Sequence, residues 1–503
     1  MSPLPGARAQ RPGRAGSAAA AWTGALLGLL PLLADAGPAS TTPCWLTGWS
    51  QAARCGVVQR PLDPARPQGP QIDVHYAVLS AQSRNKAPDA VFFFAGGPGQ
   101  SAIGLGGHLA AAYSRLQQRR DLVFVDQRGT GRSAPLACPD DNERAALLPQ
   151  AARADEAQRL QRLRACRDAL QALPHGDLRF YTTEIAMADV DAVRQALGIA
   201  RINAIGASYG TRAVLSYQRQ FPQVVRRAVL DGVAPPDMRL PDAGAADNQA
   251  AWDSLVQACA ADAACARRHP DLARRLPALL AALPQAVPLP HPVSGRLETV
   301  TLTRETLLAM VRAPLYSPAL AAALPAVLDE AAAGRWAPLV ALGQSLGAAG
   351  GRFATGQHFS VVCSEDLGPG APPPPPALPA SAAFAGGGSA LYQAACAGWP
   401  RGTVSRAFYT LPPAVAPTWL LSGSLDPVTP PRHGQRVAQA LGPLARHVVV
   451  PNVGHGTLTL PCLRDAAARF ITTEDDAAAL ATPADCGAAL PRPPAFVPPG
   501  VTP

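Results

Sequence analysis

Ser208, Asp426 and His455 are three polar residues whose types, order and local context could carry out nucleophilic acyl transfer. A serine hydroxyl is a weak nucleophile that needs a neighbouring base, and an imidazole base needs a carboxylate to orient it. Ser208 lies in Gly206-Ala207-Ser208-Tyr209-Gly210. An apolar stretch at 201–205 reads as a strand before it, and 211–218 reads as a helix after it. Strand, sharp turn and helix form the context in which G-x-S-x-G exposes its serine, and the flanking glycines are expected to let the backbone turn tightly. Asp426 follows the strand-like run Thr418-Trp419-Leu420-Leu421-Ser422-Gly423, in a loop stiffened by Pro427 and Pro430. His455 follows the strand-like run 446–450 and sits between Gly454 and Gly456. Singly, they read as an ordinary turn serine, a turn aspartate and a surface-loop histidine. Together, each follows a buried strand, and that is the edge at which open parallel sheets bind ligands.

Acyl transfer also needs backbone N–H donors aimed at the developing oxyanion. The N–H of Tyr209, just after the nucleophile, is one expected donor. The other is expected from Gly97 in the loop Gly96-Gly97-Pro98-Gly99, which follows the apolar run Ala90-Val91-Phe92-Phe93-Phe94. That loop lacks the G-K-[ST] ending of a phosphate cradle. The chemistry requires no metal and no organic cofactor, and none is expected.

The elements that must position these groups are buried strands alternating with helices. Apolar runs at 90–94, 121–125, 201–205, 224–231, 418–423 and 446–450 read as strands of a mostly parallel sheet, and 72–78 as a further alternating strand. Residues 183–197 carry Ile185, Val190, Val193 and Leu197 at helical spacing. From about 237 to 345 the chain is Ala/Leu-rich and helical in pattern. Extended or flexible material follows, including Pro372-Pro373-Pro374-Pro375-Pro376 and Gly386-Gly387-Gly388. The expected architecture is an α/β fold, a mostly parallel sheet with a mainly helical cap inserted after the middle strands. Its segments are a core at 43–235, a cap and linker at 236–405, a returning core at 406–487, and a proline-rich, poorly ordered tail at 488–503.

The net charge of +9 is spread along the chain, carried by arginine with Lys86 as the only lysine, and no basic run interleaved with aromatics supports nucleic-acid binding. Arg8, Arg11 and Arg14, the apolar stretch 18–33 and Ala34-Asp35-Ala36 match a signal peptide ending near residue 36. No other segment is long and apolar enough for a bilayer span, and a periplasmic or secreted monomer is expected. The ten cysteines, Cys44, Cys55, Cys138, Cys166, Cys259, Cys265, Cys363, Cys396, Cys462 and Cys486, are even in number. In an exported chain they read as disulfides, and sequential pairing gives five local loops.

The loop at 96–99, Asp126-Gln127-Arg128-Gly129-Thr130-Gly131-Arg132-Ser133, the turn at Ser208 with Thr211-Arg212, Asp426-Pro427-Val428-Thr429-Pro430 and Gly454-His455-Gly456 together resemble the α/β-hydrolases of the prolyl-iminopeptidase type. Cys363-Ser364-Glu365 and Cys396-Ala397-Gly398-Trp399-Pro400 resemble its secreted bacterial tripeptidyl-aminopeptidase branch. The resemblance spans about 43–487 in spaced motifs and departs at Ala95, where many relatives have histidine. It implies cleavage of peptides near a free N-terminus. An acidic site would pair with the terminal ammonium; Glu365 is the first candidate and Asp366 the second, the alternative for Glu365 being a partner for a core arginine. Esterase or amidase action on small molecules, and a non-catalytic scaffold, are the competing readings.

Overall fold

A computed structural model describes residues 41–141, 147–345, 353–386 and 388–497. The expected signal segment and the last six residues lie outside these. The strands in chain order are β1 (Thr42–Trp45), β2 (Ala52–Pro61), β3 (Gln71–Leu79), β4 (Ala90–Phe94), β5 (Leu122–Val125), β6 (Ile202–Ala207), β7 (Val225–Asp231), β8 (Gln285–Pro290), β9 (Leu297–Leu302), β10 (Thr418–Gly423) and β11 (Ala445–Val450). Nine of them form one sheet in the order β1-β2-β3-β5-β4-β6-β7-β10-β11. Pairing is parallel from β5 to β11 and antiparallel through β1, β2, β3 and β5.

The continuous apolar strands are the central ones because both of their faces are covered. Phe92 and Phe94 of β4 face a core shared with Val190, Val193 and Tyr217, whereas Val91 and Phe93 face a second core with Phe124, Trp419 and Phe470. The strand order reverses at β4, which has β5 on one side and β6 on the other. A crevice outside the carboxyl ends of the strands opens at such a reversal. The register pairs Phe94 with Gly206, so the loop leaving β4 and the turn leaving β6 emerge side by side.

Between β7 and β10 the chain leaves the sheet. The segment is mainly helical, as expected, and includes helices Leu240–Ala261 and Arg304–Leu315 around a separate core of Trp252, Leu276, Leu307, Val311, Leu324 and Leu328. It also contains an antiparallel hairpin, β8 with β9, which was not expected. Its strands, of which β8 carries prolines, bury only alternate residues, so they lack the continuous apolar signature of the main sheet. The described part of the tail, up to residue 497, is tied to the segment between β7 and β10, which was not expected. The N–H of Phe496 donates to the carbonyl of Ala322 at 2.8 Å, and Arg492 reaches Ser254 at 3.2 Å.

All five sequential disulfides are formed: 44–55, 138–166, 259–265, 363–396 and 462–486. Cross-links restrict the unfolded chain more as the loop they close grows. Replacing Cys363 and Cys396 together by alanine, with a sequence separation of 33, should therefore cost about 1.5 kcal/mol more than replacing Cys259 and Cys265, with a separation of 6. Urea unfolding of the two double variants measures this, and equal losses would contradict it.

Candidate active site

Ser208 is one of only three described non-glycine residues with a positive φ, at φ 56° and ψ −127°. Its position between β6 and the helix Tyr209–Gln220 is the strained strand-to-helix turn anticipated for an exposed nucleophile. The flanking glycines act through close approach rather than through their own dihedrals. A Cβ on Gly206 would lie 2.5 Å from the carbonyl oxygen of Gly210, and one on Gly210 would lie 2.0 Å from that of Phe94. The turn is tied further by Ser208 N–H to the Asp231 carbonyl at 2.9 Å, and by the Thr211 hydroxyl to the Ser208 carbonyl at 2.6 Å.

The loop after β4 closes over this turn. A Cβ on Gly96 would meet Ser208 Cβ at 3.3 Å, and Gly97 has a φ of 111°. The N–H of Tyr209 belongs to the first turn of the following helix, where unpaired donors and the helix dipole favour negative charge. Tyr209 and Gly97 thus flank Ser208 from two neighbouring strands.

Asp426 and His455 leave the ends of β10 and β11 and meet. Asp426 Oδ2 accepts from His455 Nδ1 at 2.8 Å and from the Thr429 hydroxyl at 2.7 Å. Asp426 Oδ1 accepts the N–H groups of Val428 and Thr429, both at 2.8 Å. Burial alone would push the Asp426 carboxyl up, but the charge and hydrogen bond of His455 with these backbone donors hold it below the usual carboxylate range. Burial alone would pull His455 down; the Asp426 charge and hydrogen bond outweigh it and hold His455 above the ordinary histidine value. The bond at Nδ1 leaves Nε2 for the reacting side. Among the described hydrogen bonds none joins Ser208 Oγ to Nε2, although both residues abut the end of β7. Ser208 bonds to Asp231 there, and a Cβ on Gly232 would touch His455 at 3.1 Å. Such bonds are often long before substrate binds.

Three further residues hold His455 in place and were not singled out from the sequence. Thr429 shares the Asp426 carboxylate and stands 3.1 Å from Nδ1. Asp231, buried at the end of β7, accepts from Thr457 N–H, the Thr457 hydroxyl and Leu458 N–H, fixing the loop just after His455. Tyr316 comes from the cap. Its carbonyl accepts the His455 N–H at 2.9 Å, and its ring meets the imidazole edge-on with centroids 5.3 Å apart. Gly454 makes this possible, since a Cβ there would lie 2.2 Å from the same carbonyl. The signal available in sequence was Asp231 at a strand's carboxyl end; Tyr316 offers none.

Glu365 and Asp366 are not placed as an ammonium site. They lie on a π-helical turn, Val362–Asp366, with residue exposures of 0% and 1%. Arg212, in the helix after Ser208, reaches Asp366 at 2.8 Å and Glu365 at 3.5 Å. Glu365 also accepts Thr183 N–H at 2.6 Å and the Thr183 hydroxyl at 3.0 Å, serving the unpaired first turn of the helix Thr183–Ala196. Thr183 in turn meets the Tyr209 hydroxyl at 2.6 Å. Burial raises the Glu365 carboxyl to about 7, with Arg212 opposing it, and raises that of Asp366. The alternative reading, a partner for a core arginine, describes what these acids do. Asp126 and Arg128 also brace the scaffold. Asp126 accepts from the Ser101 hydroxyl and Ile103 N–H, and Arg128 forms a buried pair with Asp189 at 2.6 Å.

The chain is similar in sequence to known hydrolases. A family model described as the alpha/beta hydrolase fold matches residues 89–312, and one described as TAP-like protein matches 382–478. A tripeptidyl aminopeptidase of Streptomyces lividans is 32% identical over 200 residues, covering 36% of this chain and 36% of that protein. Serine protease Hip1 of Mycobacterium tuberculosis is 31% identical over 228 residues, covering 42% of each. A proline iminopeptidase of Neisseria meningitidis is 27% identical over 164 residues, covering 32% of this chain and 38% of its own. The chain therefore matches well under half the length of these curated relatives. The sheet and the two family models give the chain the α/β-hydrolase fold, with a C-terminal region similar to TAP-like proteins.

Proposed function

We propose that this chain is an exported serine hydrolase that cleaves peptides near a free N-terminus through an acyl-enzyme. The observation that carries the chemistry is the Asp426–His455 hydrogen bond facing the strained turn at Ser208. Ser208 Oγ attacks the scissile carbonyl while His455 Nε2 takes its proton. The Tyr209 and Gly97 N–H groups bear the tetrahedral oxyanion. His455 returns the proton to the leaving amine, then activates a water whose attack releases the acyl group and restores Ser208. Asp426 holds the tautomer and stabilises the imidazolium throughout. The peptide substrate rests on the tripeptidyl aminopeptidase and proline iminopeptidase relatives. Export rests on the five disulfides, which persist in oxidising compartments. One observation favours esters or amides without a free amine instead: Glu365 and Asp366 are both consumed by Arg212.

Chromogenic peptides with free and acetylated N-termini, set against simple acyl esters, test the reading. A strong preference for the free terminus is expected, and a preference for the esters would overturn it. Ser208→Ala should lose at least about three orders of magnitude in turnover while its thermal unfolding is retained. Glu365→Gln should change hydrolysis of free and blocked peptides by the same factor, because the carboxylate is buried under the turn; a selective loss with free peptides would restore it as an ammonium site.

The pH dependence follows from His455, which must be neutral to act as base. Its raised value means that kcat/KM should be low in acid and rise through a limb lying above about 6.5. Asp426→Asn removes the charge that raises it. That limb should then move to lower pH, with turnover down about three to four orders of magnitude. An unmoved limb in Asp426→Asn would assign the ionisation to another group.

A further inference from the structure

The helix that follows Ser208 sends two side chains into the protein at its start. Tyr209 and Arg212 are three positions apart, so they lie on one side of its first turn. Both reach one cluster. Arg212 bonds Asp366 at 2.8 Å, and the Tyr209 hydroxyl meets that of Thr183 at 2.6 Å. The Thr183 hydroxyl in turn bonds Glu365 Oε2 at 3.0 Å, and the Thr183 N–H donates to Oε1 at 2.6 Å. None of Thr183, Tyr209, Arg212 and Glu365 is more than 2% exposed. The hydroxyls therefore form a closed chain, with no water to replace a missing partner. The chain has a direction. In its ionised form Glu365 only accepts, so the Thr183 hydroxyl gives it its one proton and can then only accept from Tyr209. Burial, with the Glu365 charge adding to it, pushes the Tyr209 phenol up, so the phenol keeps the proton that it donates.

The far end of this chain is anchored. The turn that carries Glu365 is cross-linked through Cys363 to Cys396. The Glu365 carbonyl accepts the Tyr409 hydroxyl at 2.7 Å, and Ser364 Oγ accepts the Gly402 N–H at 2.9 Å. The near end is the residue bonded covalently to Ser208. Tyr209 opens its helix, so its N–H has no carbonyl one turn earlier within that helix. One residue thus offers its N–H beside the nucleophile and has its side chain tied to a fixed element elsewhere. Stability does not call for these hydroxyls. Replacing both partners of a buried hydrogen bond by apolar groups of the same shape can be nearly neutral or stabilising. What the hydroxyls add is direction: a bond at 2.6 Å fixes the end of the tyrosine ring, and with the helix it fixes the backbone that carries the N–H.

We propose that Thr183, held by Glu365, is a positioning residue that aims the Tyr209 N–H at the oxyanion by way of the Tyr209 hydroxyl. The inference rests on the serine-hydrolase reading above and adds to it a residue that the reacting groups do not touch.

The test uses the full chain in alkaline buffer, above the value of about 7 to which burial raises Glu365. A fluorophosphonate counts the competent Ser208 sites, and rates are taken per labelled site on the fastest substrate of the peptide and ester panel. Tyr209→Phe and Thr183→Val should each lower kcat about tenfold or more while KM stays within about twofold. An oxyanion donor acts in the transition state, and losing one outright costs about a hundredfold or more. Phenylboronic acid, which forms a tetrahedral adduct on a serine, should lose affinity by a similar factor in both variants. Thr183→Ser, which keeps the hydroxyl, should bring both values to within about threefold of the wild type. The double variant should lose no more than the worse single one, because the two hydroxyls act as one chain, and its thermal unfolding should stay close to that of the wild type. Variants that lower the number of labelled sites or the unfolding midpoint, but keep kcat per site and the boronate affinity, would overturn the proposal and leave Ser208 hydrolysis standing. Failure of the fluorophosphonate to label Ser208 would overturn the hydrolase reading and this inference with it.

Discussion

Ser208 sits at a backbone conformation that side-chain-bearing residues avoid, at a cost of the order of 1–3 kcal/mol, and such strain persists only where its surroundings over-determine it. Here the surroundings are the parallel register itself. Gly206 pairs with Phe94 on one side and Leu230 on the other, so the turn leaves the sheet between two fixed strands. Phe94 also limits Gly210, and Asp231 takes the Ser208 N–H, so the strained residue is gripped from both neighbouring strands. Relaxing Ser208 would require moving β4 or β7, each buried on both faces. The reversal of strand order at β4 then places the loop at 96–99 beside the strained serine without any further device.

The cap is joined to this arrangement by two different kinds of contact. One is a backbone hydrogen bond, from His455 to the Tyr316 carbonyl, which fixes the height of the imidazole with no charge involved. The other is the buried cluster of Arg212 with Glu365 and Asp366, in which two carboxylates share one guanidinium. Buried pairs gain little net stability once desolvation is counted, and removing one member leaves an uncompensated charge. Asp366 is bound to Arg212 by a direct charged hydrogen bond, whereas Glu365 spends its nearer contacts on Thr183. Burial raises the Glu365 carboxyl, with the Arg212 charge and the Thr183 hydrogen bonds opposing it. The cluster therefore fixes the relation between the elbow helix and the π-helical turn more than it adds stability.

What could be read from the chain divides along physical lines. Continuous apolar strands announce themselves, so β4, β5, β6, β7, β10 and β11 were legible within a residue or two, and Ser208, Asp426 and His455 were legible as the polar residues just beyond three of them. Sequential cysteine pairing was one possibility that the sequence left open, and the structure forms it in five local loops. Tyr316 was invisible because it acts through its carbonyl, which every residue has. The choice between the two readings of Glu365 could not be made locally because its partner is an arginine 153 positions earlier. The hairpin of β8 and β9 escaped because prolines and half-exposed strands mimic loop.

The working balance at the site is a contest between burial and charge. Burial would make His455 a weaker base and Asp426 a stronger acceptor of protons, and both changes would dissolve the pair. Two backbone N–H groups and the Thr429 hydroxyl prevent this by binding the ionised carboxylate of Asp426. Pro427 and Pro430 bound the loop that presents them, so the donors are set before any substrate arrives. With Asp426 held as an anion, His455 keeps a proton on Nδ1 and a lone pair on Nε2. The basicity of His455 is thus raised by the loop that follows β10 rather than by its own strand, and in the proposed mechanism the rigidity of that loop would let a half-buried imidazole act as a base.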